Sequence, residues 1–138
     1  MNFNPLALII CQCIGTATIA ICFTQSAVDK IFDWKGNLGW LNGHFSKTIF
    51  KSMVPLLLGI VTVLELLAGL MSIVGLLQIA ISGNVQWAFW GSATAGLALV
   101  SLFLGQRIAK EYAGAAVLVS YIILVILNIL LLALGMMG

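Results

Sequence analysis

Four long apolar runs, separated by three short polar stretches, organise this chain. The runs cover about residues 6–28, 53–81, 85–104 and 112–135. A helix needs roughly 20 apolar residues to cross about 30 Å of hydrocarbon, and each run meets that length. The polar stretches are about residues 29–52, the Ser82-Gly83-Asn84 turn, and the connector GQRIAKE that begins at Gly105. Gly and Asn tolerate positive φ, so Ser-Gly-Asn predicts a tight reversal and an antiparallel hairpin of the second and third runs. The pattern predicts an all-α integral membrane protein. Residues 1–138 form one antiparallel four-transmembrane-helix bundle, with an interfacial loop between its first and second helices.

Small and polar residues recur inside each run at helical spacing. Cys11, Gly15, Thr18, Cys22 and Gln25 make one stripe, and Thr62, Glu65, Gly69 and Ser72 a second. Gly91, Thr94, Ala98, Ser101 and Gly105 follow in the third run, and Gly114, Tyr121, Asn128 and Gly135 in the fourth. Helices in lipid associate through small residues and interhelical hydrogen bonds, so these stripes are the faces expected to pack. A face packed against a partner subunit would have the same pattern.

The loop DWKGNLGWLNGHFSKT, residues 33 to 48, supports two readings. Trp34, Leu38, Leu41 and Phe45 fall at steps of four, three and four, as in an interfacial amphipathic helix. Gly36, Gly39 and Gly43 each weaken a helix by about 1 kcal/mol relative to Ala. The preferred expectation is a short, broken segment along the membrane face. It would cap the bundle mouth or dock a partner where Asp29, Lys30, Asp33 and His44 meet.

Composition narrows the class. Hydrophobic residues make up 62% and charged residues 7% of the chain, against about 25% charged in ordinary domains. That excludes a water-soluble globular domain. The first run has no Lys or Arg before it, whereas a signal peptide starts basic, so it is read as a retained span. Lys30, Lys35, Lys47, Lys51, Arg107 and Lys110 all belong to the first and third polar stretches. The positive-inside rule places those stretches in the cytoplasm and both termini outside it.

Three cysteines, at 11, 13 and 22, lie in the first span without metal-ligand or redox spacing and are read as small apolar packing residues. No metal site, catalytic constellation or nucleic-acid partner is expected. Glu65 is the outlier. It lies about a dozen residues into its helix, roughly 18 Å from the start. A carboxyl at that depth faces the protein interior and marks a structural or functional polar site. Tyr121 and Asn128 are its candidate companions.

One resemblance adds to this reading. The first span ends in FTQSAVDKIFDW, and Pro55 starts a second span containing ELLAGL, Glu65 to Leu70, with Gly75 beyond it. With four spans in a short chain, the protein resembles the DoxX family of small bacterial membrane proteins. The resemblance covers the first three spans, and the fourth by hydrophobicity alone. It implies a bacterial inner-membrane location, and it carries the family's acidic and basic positions onto Glu65 and Lys30.

The function expected is an accessory or structural subunit of a larger membrane complex, in contact with lipid and with other subunits or copies of itself. Independent enzyme activity is not expected. Two other readings stay open: a redox subunit that binds a quinone, with Glu65 donating or accepting the proton, and a small transporter.

Overall fold

The computed structural model describes residues 4–48 and 51–137. The N-terminal tail read for topology begins at residues that lie outside these, as do two residues of the first loop. Five α-helices and one 3-10 turn account for the described chain: α1 (Pro5–Phe32), α2 (Trp34–Phe45), the turn Lys51–Met53, α3 (Val54–Ser82), α4 (Gln86–Ile108) and α5 (Tyr112–Met137). Among the described residues, α1, α4, α5 and the continuous segment Lys51–Ser82 are long and apolar enough to cross a membrane.

Local chemistry explains the boundaries. Asn4 caps α1 by accepting the Leu6 amide at 3.0 Å, and Pro5 stands in the first turn, where its missing N–H costs nothing. Gly83 closes α3 at φ 75°, and the next residue, Asn84, accepts the Gln86 amide at 2.9 Å. The Ser-Gly-Asn stretch therefore makes the reversal its composition predicts. At the other end Lys110 holds φ 62° without being glycine. Its N–H bonds to Arg107 O, and that of Glu111 to Gln106 O, which closes α4 in the manner of a Schellman cap.

The first polar stretch differs from the broken segment expected. α1 runs on to Phe32, and after one non-helical residue, Asp33, α2 continues unbroken through Gly36, Gly39 and Gly43. Asp33 joins the two helices, donating its N–H to Asp29 O and accepting that of Asn37, each at 3.0 Å. Trp34, Leu38, Leu41 and Phe45 are half-buried, while Lys35, Gly39, Asn42 and Gly43 are exposed. Partial burial of that stripe offsets the glycine penalty, and the segment is a helix with one half-buried face, as the amphipathic-helix reading had it.

α3 packs along α1 and α4, α4 along α5, and α5 closes back on α1. The result is a four-membered ring with α1 diagonal to α4 and α3 diagonal to α5. Glycines set the closest approaches. A Cβ on Gly69 would lie 2.8 Å from Thr24 N of α1, and one on Gly75 would lie 2.5 Å from Ala88 Cα of α4. Ile19, Phe23, Ala68, Ala95, Ala98, Leu99 and Val125 fill the centre.

The stripe of α3 is buried as expected, Thr62, Glu65, Gly69 and Ser72 alike. The α1 stripe is turned by about one residue, to Gln12, Gly15, Thr16, Ile19, Phe23 and Ala27. Cys11 and Gln25 are exposed, and Thr18 and Cys22 are half-buried. Large apolar residues, which the small-and-polar criterion ignores, decide that helix face. On α4 Gly91 and Ala98 are buried but Ser101 is exposed; on α5 Asn128 is buried and Tyr121 exposed. Leu56, Ile60, Val63, Leu67, Leu70 and Leu77 remain exposed along α3. A surface this apolar suits contact with a lipid bilayer, and the architecture is that of a multi-pass membrane protein.

Candidate functional site

Glu65 is buried to 2% exposure, and α1 supplies its partners. Lys30 Nζ lies 3.0 Å from Oε2 and 3.2 Å from Oε1. Ser26 donates its hydroxyl to Oε2 at 3.0 Å and accepts Lys30 Nζ at 2.8 Å. The three groups form a closed triangle in which every contact pairs a donor with an acceptor. Gly69, one turn beyond Glu65 on the same face, allows the α1 backbone to come in at Thr24. That approach brings Ser26 level with Glu65, and Lys30, one turn nearer the end of α1, reaches back along its own helix.

This arrangement changes the expected depth. Glu65 is far from the start of α3, but Ser26 stands only seven residues before Asp33, roughly 10 Å at the helical rise. The carboxyl therefore opens toward the end of the bundle where the basic residues gather.

Tyr121 and Asn128 are not among its partners. Reaching them from α3 would require α3 and α5 to be neighbours, and they are diagonal. Tyr121 is 41% exposed. Asn128 is buried elsewhere, donating Nδ2 to Ser92 Oγ at 2.9 Å and to Thr16 Oγ1 at 3.4 Å. It is a separate polar tie among α1, α4 and α5. Gly15 makes room for it, since a Cβ there would lie 2.8 Å from Asn128 Cγ.

Of the four residues expected at the bundle mouth, Lys30 and His44 line the same space, while Asp29 and Asp33 are exposed. His44 pairs with neither Asp. Its Nε2 lies 3.0 Å from Glu111 Oε1 in the α4–α5 connector, and its Nδ1 lies 2.8 Å from Trp40 O. The ring stacks on Trp40 with 3.7 Å between centroids.

Beneath α2 lies a cavity of about 430 Å³. Leu41 and Phe45 roof it, Leu58 and Val61 of α3 and Leu102 and Gly105 of α4 wall it, and Lys30, Gln106, His44 and Glu111 supply its polar atoms. A few convergent polar groups in an apolar cleft of this size are the usual makings of a small-molecule site. Lys30 joins the cavity to the buried triangle. No cluster of His, Cys, Asp and Glu among the described residues could hold a metal ion.

Ser26, Gln106 and Glu111 are polar site residues that the sequence reading missed. Ser26 was signalled by its spacing, one turn before Lys30 on the same helix. Glu111 was signalled by topology, because the end of α2 and the α4–α5 connector share the basic end of the bundle.

No protein-family model, curated protein or solved structure matches the chain. The fold and the site therefore carry the functional argument by themselves.

Proposed function

We propose that this protein is a DoxX-like subunit of a bacterial inner-membrane complex, and that it contributes a binding pocket for a lipophilic molecule with a quinone-type polar head. The observation that carries the reading is the apolar cavity with Lys30 in its wall and Glu65 behind it. An ammonium has three donors. Ser26 and the Glu65 carboxylate occupy two directions, and a carbonyl oxygen of a ligand in the cavity takes the third. Glu65 and Ser26 then serve as the reservoir through which a proton reaches or leaves that oxygen by way of Lys30. The basic end of the bundle faces the cytoplasm, which gives the pocket its proton supply from that side.

In this reading a partner subunit supplies or takes up the electrons. This joins the accessory reading to the quinone reading. A purely structural subunit is the simpler form of the same proposal and needs only the packed bundle.

Purification in mild detergent, with mass spectrometry of co-purifying proteins and lipids, tests it. The expected result is a membrane partner together with a quinone, and a short-chain quinone that quenches Trp40 fluorescence on binding. Leu58→Phe, which takes up space in the cavity without adding a fluorophore, should weaken quenching, and Lys30→Met should weaken it at least tenfold. A ligand-free protein whose fluorescence ignores added quinone would refute the ligand reading. A protein that purifies alone, and whose deletion leaves every membrane complex intact, would refute the subunit reading.

A further inference from the structure

We infer that α2 is a lid over the cavity and that His44 and Glu111 form its proton-dependent latch; this regulation rests on the pocket reading above. α2 is joined to the bundle core in a way that suits a moving part. One end is the single non-helical residue Asp33, at φ −121° and ψ 48°, and the helix has no buried residue along its length. At its far end Phe45 rests over Gly105 of α4, where a Cβ would come 3.4 Å from Cζ. The polar tie beside it is the 3.0 Å contact between His44 Nε2 and Glu111 Oε1.

The proton count follows from the two contacts. Trp40 O is a carbonyl and can only accept, so Nδ1 must carry a hydrogen for that contact to be a hydrogen bond. The Glu111 carboxylate also accepts, so Nε2 must carry one too. Both bonds exist together only when the ring is the doubly protonated cation. Loss of either proton leaves one nitrogen lone pair facing an oxygen, and the attraction there becomes repulsion. The lid is thus held by protonation and released by deprotonation.

Lys35, Lys47 and Lys51, of α2 and the segment that follows it, are exposed. On the α1 side Lys30 is turned to Glu65, and α3 presents Val54, Leu57, Leu58 and Val61. Arg107 of α4 lies over the Tyr112 ring, 4.7 Å from its centroid. Lys110 is exposed in the connector, and its left-handed backbone sets the turn from which Glu111 projects. A non-glycine residue held at positive φ costs of order 1 kcal/mol or more, and such strain is often found where a neighbouring group must be aimed.

Spin labels test the lid without any ligand. The labels go on Asn42→Cys in α2 and Ala113→Cys in α5, with Cys11, Cys13 and Cys22 replaced by Ala, and the distance between them is read in nanodiscs. At acid pH one short distance is expected, and at alkaline pH a longer one should become the majority. Glu111→Ala should show the longer distance at both, whereas His44→Arg, whose charge does not titrate, should keep the short one at both. Because thermal unfolding is measured on the same samples, a variant that simply misfolds is recognised as such. If all folded variants give one unchanged distribution across pH, the latch is wrong, although quinone quenching can still succeed. If the lid moves as expected but no quinone binds, the ligand assignment is wrong and the latch stands.

Discussion

Lys30 Nζ lies 3.0 Å from Glu65 Oε2, tying the last turn and a half of α1 to the interior of α3. The lysine side chain is 18% exposed and the glutamate 2%. One partner therefore has an escape to the interface and the other has none.

That asymmetry predicts unequal mutants. Removing one member of a buried pair typically costs about 3–5 kcal/mol. Lys30→Met strands the carboxylate and should cost about that much. Glu65→Leu should cost less, because the long stem of Lys30 can carry its ammonium outward. The double variant should be more stable than Lys30→Met alone, giving a coupling of at least about 1 kcal/mol. Thermal unfolding in detergent of all four proteins completes the cycle, and additive losses would count against an energetically coupled pair.

Gly69 and Gly75 should tolerate no side chain. Their Cβ atoms would meet the backbone of Thr24 and of Ala88, which cannot swing aside. Gly69→Ala and Gly75→Ala should each destabilise by about 1–3 kcal/mol, the usual range for overpacking. Gly69→Ala should also pull Ser26 away from Glu65, a loss visible as faster hydrogen exchange in the last turns of α1.

Gly39 and Gly43 should behave in the opposite way. Nothing lies within 4 Å of a Cβ at either position, and both sit inside an exposed helix. Ala at each should stabilise α2 by up to about 1 kcal/mol. Amide exchange across residues 34–45 would slow accordingly, and unchanged exchange would mean that α2 is not helical in the membrane.

Asn128→Leu should cost only about 1 kcal/mol, because interhelical hydrogen bonds in membranes average little more than half of that and Ser92 and Thr16 can turn to their own backbone. Tyr121→Phe should be silent in stability. Neither change should alter quinone quenching, whereas a Lys30 change should. A quenching loss in Asn128→Leu would relocate the site to the other polar cluster.

The four spans, their reversal at Gly83 and the inward face of α3 were all legible, because each rests on local pattern. Glu65 stood out because a lone carboxylate in an apolar run has few explanations. Its partners did not stand out. They depend on which helices are neighbours, and periodicity along one chain carries no information about a diagonal. The α1 face was misjudged because Phe23 and Ile19 outweigh Thr18 and Cys22 in filling the centre. α2 was misread because three glycines penalise an isolated helix, and the partial burial of Leu38, Leu41 and Phe45 against the bundle is a tertiary gain that propensity omits.

The Lys30–Glu65 contact also bears on how the protein is made. The two residues lie 35 positions apart in the chain. Lys30 is therefore synthesised before Glu65, and α1 is complete while its lysine still has no counter-ion. Until α3 packs against α1, that ammonium and the Ser26 hydroxyl lack the acceptor they share in the finished bundle. Packing of α3 onto α1 is thus the step that gives both groups their partner at once.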